Sequence, residues 1–441
     1  MVKELTEVIS YYREIERQWV DSDKKSDEYL AAVCMFEYLS FRLREYDNHD
    51  RLIGFRLLVR TYRRMRRKNQ GMRYLDLSSR SIITSSSKNQ DDIIRYIQGS
   101  AKTEVHSYLD RDHMSLGDFG TLPLLMRWFP FAFVQALRCV FSTYRSRLAL
   151  TIAEIPEIAF VLKYAKTNNI EMLYDFLPYE VDSNFMYLVF RKNGIRVFKI
   201  PSSGPFATHH KILISDDVAL SSPYHFDEIV RFKDTFRVQQ AILWPPYNAH
   251  IFYAKYKNKN KWEEAGTLGF YSHGEWLRRA EKHANYGGRI SEAEEAILGM
   301  LGDIVAKNPF YKLRIFPHPK ELRPELKAAR EEYYLRCIGH NNFEIYIADG
   351  GTAQNFAKAE IAIAAFSTIL YERLYCGFKT LIGNMYISRQ FPMNNSNLNT
   401  ICFRSQDELE DMLQQYGNMD ADTFFSRTGL SDYRMEAFPE P

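Results

Sequence analysis

Cysteine is scarce and scattered in this chain of 441 residues. The five cysteines (Cys34, Cys139, Cys337, Cys376 and Cys402) are odd in number and none forms a Cys-x-x-Cys pair. That spacing argues against a zinc ribbon and a disulfide framework and predicts a reducing compartment. No run reaches the ~18 uninterrupted apolar residues of a membrane span. Met1-Val-Lys-Glu-Leu-Thr-Glu7 carries charges where a signal peptide keeps its apolar core. The expected location is the cytoplasm, or the inner face of the cytoplasmic membrane. Net charge is only +3, too little to imply a nucleic-acid partner. Asp-x-Asp spacings at Asp21-Ser22-Asp23 and Asp110-Arg111-Asp112 follow no predicted strand, so no metal site and no cofactor is expected. No internal repeat is visible.

Against these absences, hydrophobic residues make up 46% and charged residues 26% of the chain, enough apolar material for packed cores and too much for disorder. The length suits two or three domains. Charge is unevenly placed. Residues 51–75 hold nine Arg or Lys and no acid, and residues 119–153 also lack acids. Arg56, Arg60, Arg63, Arg64 and Arg67 recur near helical spacing, with Leu57, Leu58 and Met65 on an apolar side. This pattern predicts docking on an anionic membrane surface, each basic residue contributing ~1 kcal/mol, with a solvated basic helix or one packed on the catalytic domains as the alternative. The run Leu124 to Phe133, with Trp128 and three Phe, is a candidate second membrane contact but reads rather as buried core.

Residues 1–145 read as a helical, basic portion, with helices over Glu4 to Val20 and Glu28 to Tyr46 and a loop over Ser78 to Gln90. From residue 146 strands and helices alternate: strand Leu148 to Ile152, helix Pro156 to Thr167, strand Ile170 to Phe176, helix Asp182 to Lys192, strand Ile195 to Ile200, and shorter strands to Trp244. This predicts a Rossmann-like domain over 146–255. The polar stretch Tyr253 to Glu264 reads as a linker. Residues 262–390 form a second βαβαβαβ unit, an α/β domain with a parallel sheet and right-handed crossovers. Residues 391–441 read as a C-terminal extension containing the helix Gln406 to Tyr416.

The most informative segment is Ala359 to Ile382. It reads as a strand from Ile361 to Ala365, the pair Ser367-Thr368, a helix carrying Glu372 and closed by Gly377, and a further strand from Lys379. At a strand-to-helix junction, unpaired backbone N–H groups and the positive end of the helix dipole converge. Ser367 and Thr368 hydroxyls there would complete a phosphate site, although the same pair is also a plain N-cap worth ~1 kcal/mol. Upstream, Leu313 to Phe316 is a strand ending in Pro317-His318-Pro319-Lys320-Glu321. Thr267 to Tyr271 is another, ending in Ser272-His273-Gly274, and Phe343 to Ala348 a third, ending in Asp349-Gly350-Gly351. Carboxyl ends of parallel strands are where open α/β sheets bind ligands. His273, Gly274, His318, Pro319, Asp349, Gly350, Ser367, Thr368 and Glu372 are therefore the candidate nucleotide-phosphate residues.

The order strand, His-Pro-Lys-Glu, helix, strand, Ser-Thr, helix with Glu372, Gly377, strand resembles the C-terminal half of bacterial GT-B glycosyltransferases of capsule and lipopolysaccharide synthesis. Within that group it is similar to polysialyltransferases, Kdo transferases and CDP-glycerol glycerophosphotransferases. The resemblance covers residues 262–390. It implies two Rossmann-like domains facing a cleft, metal-independent transfer, and contact of His318 and Ser367-Thr368 with the donor's phosphate. The partners it implies are a nucleotide-sugar donor, CMP-linked as first choice, and a glycan or lipid-linked acceptor. A polyol-phosphate transferase using a CDP-linked donor and a sugar-nucleotide epimerase are the alternative enzymes, and a nucleic-acid-binding protein is the non-enzyme alternative.

Transfer to an alcohol also needs a base, which in two-domain transferases comes from the N-terminal domain. Asp175, Glu180, Asp182, Glu154 and Glu157 are the acids at predicted strand ends, with Glu154 and Asp182 the choices. The acidic pair followed by Gly that polysialyltransferases carry in this half is missing.

Overall fold

The computed structural model describes residues 1–21, 26–27, 30, 51–65, 72–74, 79–85, 90–101, 105, 107–110, 122–142, 145–176, 181–200, 212–231, 234, 236–256, 262–280, 284–347, 352–365, 367–383 and 396–438. Most of the predicted helix Glu28 to Tyr46 lies outside them, as do Arg67, Glu180, Asp349 and Gly350.

The first half is built on strands β1 (Met72–Tyr74), β2 (Ser81–Ser85), β3 (Ser107–Asp110), β4 (Met172–Asp175), β5 (Arg196–Lys199), β6 (Leu213–Leu220) and β7 (Phe236–Leu243). Their spatial order is β1-β3-β2-β4-β5-β6-β7, parallel throughout except that the edge strand β1 runs antiparallel to β3. The second half holds β8 (Thr267–Tyr271), β9 (Lys312–Phe316), β10 (Phe343–Ile345), β11 (Ile361–Ala364), β12 (Thr380–Gly383) and β13 (Cys402–Phe403). These lie in the order β10-β9-β8-β11-β12-β13, all parallel. Counted from β8, this is the 3-2-1-4-5-6 winding of a Rossmann sheet, and the winding reverses between β8 and β11. In the first sheet the reversal falls between β2 and β4.

The α-helices among the described residues are α1 (Val2–Asp21), α2 (Ile53–Met65), α3 (Gln90–Ala101), α4 (Leu122–Phe141), α5 (Arg145–Thr167), α6 (Val181–Lys192), α7 (Tyr224–Arg231), α8 (Tyr247–Tyr256), α9 (Glu275–Ala280), α10 (Ala284–Lys307), α11 (Lys327–Ile338), α12 (Thr368–Tyr375), α13 (Ser396–Asn399), α14 (Gln406–Tyr416) and α15 (Ala421–Thr428). Helices α1, α2 and α4 pack on α5. In α1 the buried Leu5, Val8, Tyr12 and Ile15 supply a stripe at helical spacing. Two Rossmann-like domains on parallel sheets, with an added helical layer, make a GT-B-like architecture.

Three sequence expectations give way. Leu148 to Ile152 is not a strand but part of the single helix α5. That helix is buried on nearly every side, so its apolar run carries no helical periodicity and reads like a buried strand. Pro156 sits inside it and leaves the Ile152 carbonyl without its usual N–H donor. Trp128 Nε1 donates to that carbonyl instead, at 3.2 Å. Ser81 to Ser85, expected as loop, is the strand beside the first sheet's reversal, with Ile82 and Ile83 fully buried. The region 1–145 therefore contributes three strands to the first sheet as well as helices, and β13 brings the 391–441 segment into the second sheet.

Candidate functional site

The carboxyl ends of β9, β8 and β11 lie side by side, since Tyr271 pairs with Phe316 and Ile363 with Phe270. The loops that follow them leave the same edge of the sheet, at its reversal point, where open α/β sheets leave a crevice for ligands. The first loop is Ser272-His273-Gly274. Gly274 adopts φ +65°, left-handed backbone that an L side chain rarely takes. A Cβ built there would lie 3.3 Å from His318 Cβ and 3.2 Å from Glu321 Cγ, so this loop and the His318-Pro319 turn are in contact.

Glu321 holds that turn in place. Its carboxylate is fully buried and accepts from the His318 N–H at 2.8 Å, Trp276 Nε1 at 2.9 Å and the Tyr334 hydroxyl at 2.7 Å. With His318 as cap and Pro319 at the first position, the result is a capping box on a one-turn 3-10 helix, Pro319–Leu322. His318 Nδ1 accepts from the Lys320 N–H at 3.1 Å. The neutral ring therefore carries its proton on Nε2, a donor suited to a phosphate oxygen.

Ser367 is the N-cap of α12, and its hydroxyl accepts from the Ile369 N–H at 3.4 Å, at the long end of the hydrogen-bond range. Thr368 opens the helix and is half-buried. A phosphate oxygen at this helix end would accept from the same N–H and face the positive end of the dipole.

Other candidates sit elsewhere or do different work. The His273 N–H is taken by Glu294 Oε1 at 2.6 Å, and His273 Nδ1 lies 3.4 Å from the same oxygen, so this residue anchors its loop to α10. Glu372 is buried and accepts from Asn248 Nδ2 of α8 at 2.9 Å. Burial pushes its carboxyl up to about 7, against the pull of the Asn248 bond. It joins the two halves of the molecule. Arg314 is tied to Glu344 at 2.8 Å and to the Lys358 carbonyl, a sheet-edge role.

In the first half, Glu154 lies within α5 and follows no strand, which removes the reason for choosing it as a base. Its neighbour Glu157 accepts from Arg64 at 3.1 Å. Asp182 occupies the second position of α6, the helix after β4, and so comes at the reversal point of the first sheet. Asp175, the last residue of β4, is fully buried there, with the Thr84 hydroxyl of β2 at 3.4 Å from its Oδ1. Thr84 escaped sequence reasoning because its strand was read as a loop. Glu321 was visible only as the end of the His-Pro-Lys-Glu motif. Among the described residues no group of three His, Cys, Asp or Glu side chains is placed to hold a metal ion.

No known family's sequence profile matches the chain, and no curated protein does. Similar solved structures exist. A mutant O-GlcNAc transferase of Thermobaculum terrenum shares 13% identity over 98% of this chain and 78% of its own, with a TM-score of 0.40. The S. aureus MnaA-UDP co-structure shares 10% identity over 80% of this chain and 92% of its own, with a TM-score of 0.44. The UDP-GlcNAc 2-epimerase of Neisseria meningitidis bound to UDP-GlcNAc shares 10% identity over 79% of this chain and 98% of its own, with a TM-score of 0.43. At this level of similarity the fold assignment rests on the chain's own topology.

Proposed function

We propose that the protein is a GT-B glycosyltransferase that binds the phosphate of a nucleotide-sugar donor at the β8/β9/β11 edge and passes the sugar to a cell-surface glycan or glycolipid hydroxyl. The observation that carries this reading is the contact of Gly274 with His318 and Glu321 at the sheet's reversal point, beside the Ser367 helix end. His318 Nε2–H and the α12 amino end stabilise the negative charge that builds on the leaving phosphate, as preorganised donors do without a metal. Asp182, at the reversal point of the first sheet, takes the acceptor's proton. The candidate residues address the phosphate rather than the base, so a CMP-linked donor of the Kdo or sialic type is to be tested beside uridine nucleotides.

Thermal shift with CMP, CDP, UDP, GDP and TDP tests this directly. At least one nucleotide is expected to stabilise the protein, by ~2.7 kcal/mol at about 100 times its dissociation constant. His318→Ala and Ser367→Ala are expected to abolish that shift while lowering unliganded stability by no more than the ~1 kcal/mol of a lost cap, and Asp182→Asn to keep the shift but lose about 10²–10⁴ in transfer rate. Stabilisation that survives in both site variants overturns the assignment. Conversion of UDP-GlcNAc to its 2-epimer without acceptor would replace transfer by epimerisation.

A further inference from the structure

Helix α4 presents an apolar ridge to the outside. Leu122, Met126, Phe129, Phe133, Val134, Leu137 and Phe141 are all exposed, Leu122 by 70%, Met126 by 67% and Phe141 by 85%. The opposite face, with Leu124, Trp128, Phe131, Ala132, Ala136 and Cys139, is buried. The run Leu124 to Phe133, read in sequence as core rather than as a second membrane contact, is thus core on one face only. Helix α2 lies alongside. Gly54 meets it so closely that a Cβ would lie 2.8 Å from Ala136 Cα, and the Phe55 and Phe133 rings touch at 5.9 Å between centroids. The apolar side of α2 faces inward: Leu57, Leu58 and Met65 are buried, so those three residues are not the membrane contact expected of them. Its outward side instead carries the exposed Arg56, Arg60 and Arg63, and α4 adds exposed Arg127, together with Arg138, which pairs with Glu16 of α1 at 2.6 Å.

We infer that α4 lies in the plane of an anionic bilayer, its ridge among the acyl chains and the α2 arginines at the lipid phosphates. Three observations favour a bilayer. The ridge runs the full 20-residue length of a single helix. Its only exposed polar neighbours on that helix are two arginines, the composition of an interfacial helix. And residues 51–75 and 119–153 hold no carboxylate of their own, so the two helices bring net positive charge to this face, which suits anionic lipid. The helix is long and apolar enough to cross a membrane, but its buried face packs on α2 and α5, which keeps it on the surface of a folded domain.

The test is sedimentation of the full chain with phosphatidylcholine vesicles, with and without phosphatidylglycerol. Binding is expected only with the anionic lipid. It should fall about tenfold or more in Met126→Glu and in Phe133→Glu, about fivefold or more in Arg60→Glu and in Arg63→Glu, and weaken as salt is raised. Met126 stands clear of the core, so that variant keeps its fold even where Phe133→Glu loses the Phe55 contact. Equal binding to both vesicles, unchanged binding in the variants, or a dimer broken by Met126→Glu without any vesicle binding overturns the inference. Nucleotide thermal shifts are unaffected by these variants, so the outcome is separate from that of the proposed reaction.

Discussion

Glu372 places a carboxyl group where ionisation is costly. Burial raises its folded pKa from 4.5 to about 7, while the unfolded chain keeps the ordinary value. Between those two values the folded state holds a proton that the unfolded state has released, so stability falls as pH rises through this window and levels off above it. The shift corresponds to ~3 kcal/mol at most. Glu372→Gln keeps a side-chain oxygen for Asn248 and removes the ionisation cost. Urea denaturation is expected to show the variant more stable than the parent above about pH 7 and equal to it near about pH 4. A constant difference across the range would mean that Glu372 does not titrate in this window. The sequence places Glu372 on the helix after Ser-Thr, but its partner is 124 positions away in Asn248, beyond the reach of any local pattern.

At the scale of elements, α12 depends on one buried cation. Seven of its eight residues are buried. Arg373 among them donates to the Tyr271 hydroxyl at 3.0 Å, the Phe356 carbonyl at 2.7 Å, the Ala359 carbonyl at 3.1 Å and the Lys379 carbonyl at 3.4 Å. One planar guanidinium thereby ties the end of β8, the segment before β11 and the start of β12 to the helix that caps the candidate phosphate site. Arg373→Met strands these acceptors and is expected to cost more than ~3 kcal/mol in equilibrium unfolding. Arg373→Lys recovers little of it, because an ammonium cannot reproduce the fork. A loss below ~1 kcal/mol in both would show that the carbonyls find other donors. Elements of the second half were legible because their strands are short apolar runs bounded by Gly, Pro or Ser. The first half was harder. In β6, Asp216 accepts from the Val197 N–H at 2.9 Å and the Tyr187 hydroxyl at 3.0 Å, a buried acid in mid-strand that reads in sequence as the strand's end.

At the scale of the whole molecule, α8 is the joint. It closes the first half and packs on α12 and the 352–358 turn of the second. Asn248 reaches Glu372, His250 Nδ1 lies 2.8 Å from the Tyr375 hydroxyl, and nearby the Tyr224 and Tyr371 rings stack at 6.0 Å. Burial lowers the His250 pKa, so its ring is neutral at neutral pH and the contact is a hydrogen bond between uncharged groups. The two halves are expected to unfold together in urea. The double variant Asn248→Ala with His250→Ala should split that into two transitions, seen as fluorescence and circular dichroism curves that no longer coincide. Coincident curves in the double variant would assign the coupling to other contacts.

The sequence by itself determined most of the second domain: the succession of its strands from β8 to β12, the His318-Pro319 and Ser367-Thr368 strand ends, and the glycine at 274. Those features are local, set by short apolar runs and by residues that restrict φ within a turn or two. Only the tertiary structure decided which of them meet. The contact of Gly274 with Glu321, the Glu372–Asn248 bond and the burial of α5 on nearly every side depend on chain segments far apart in sequence. The same is true of the outward face of α4. Apart from Arg127, Gln135 and Arg138 its residues are apolar on all sides, and which of them end up in the core was settled by where α2 and α5 came to pack.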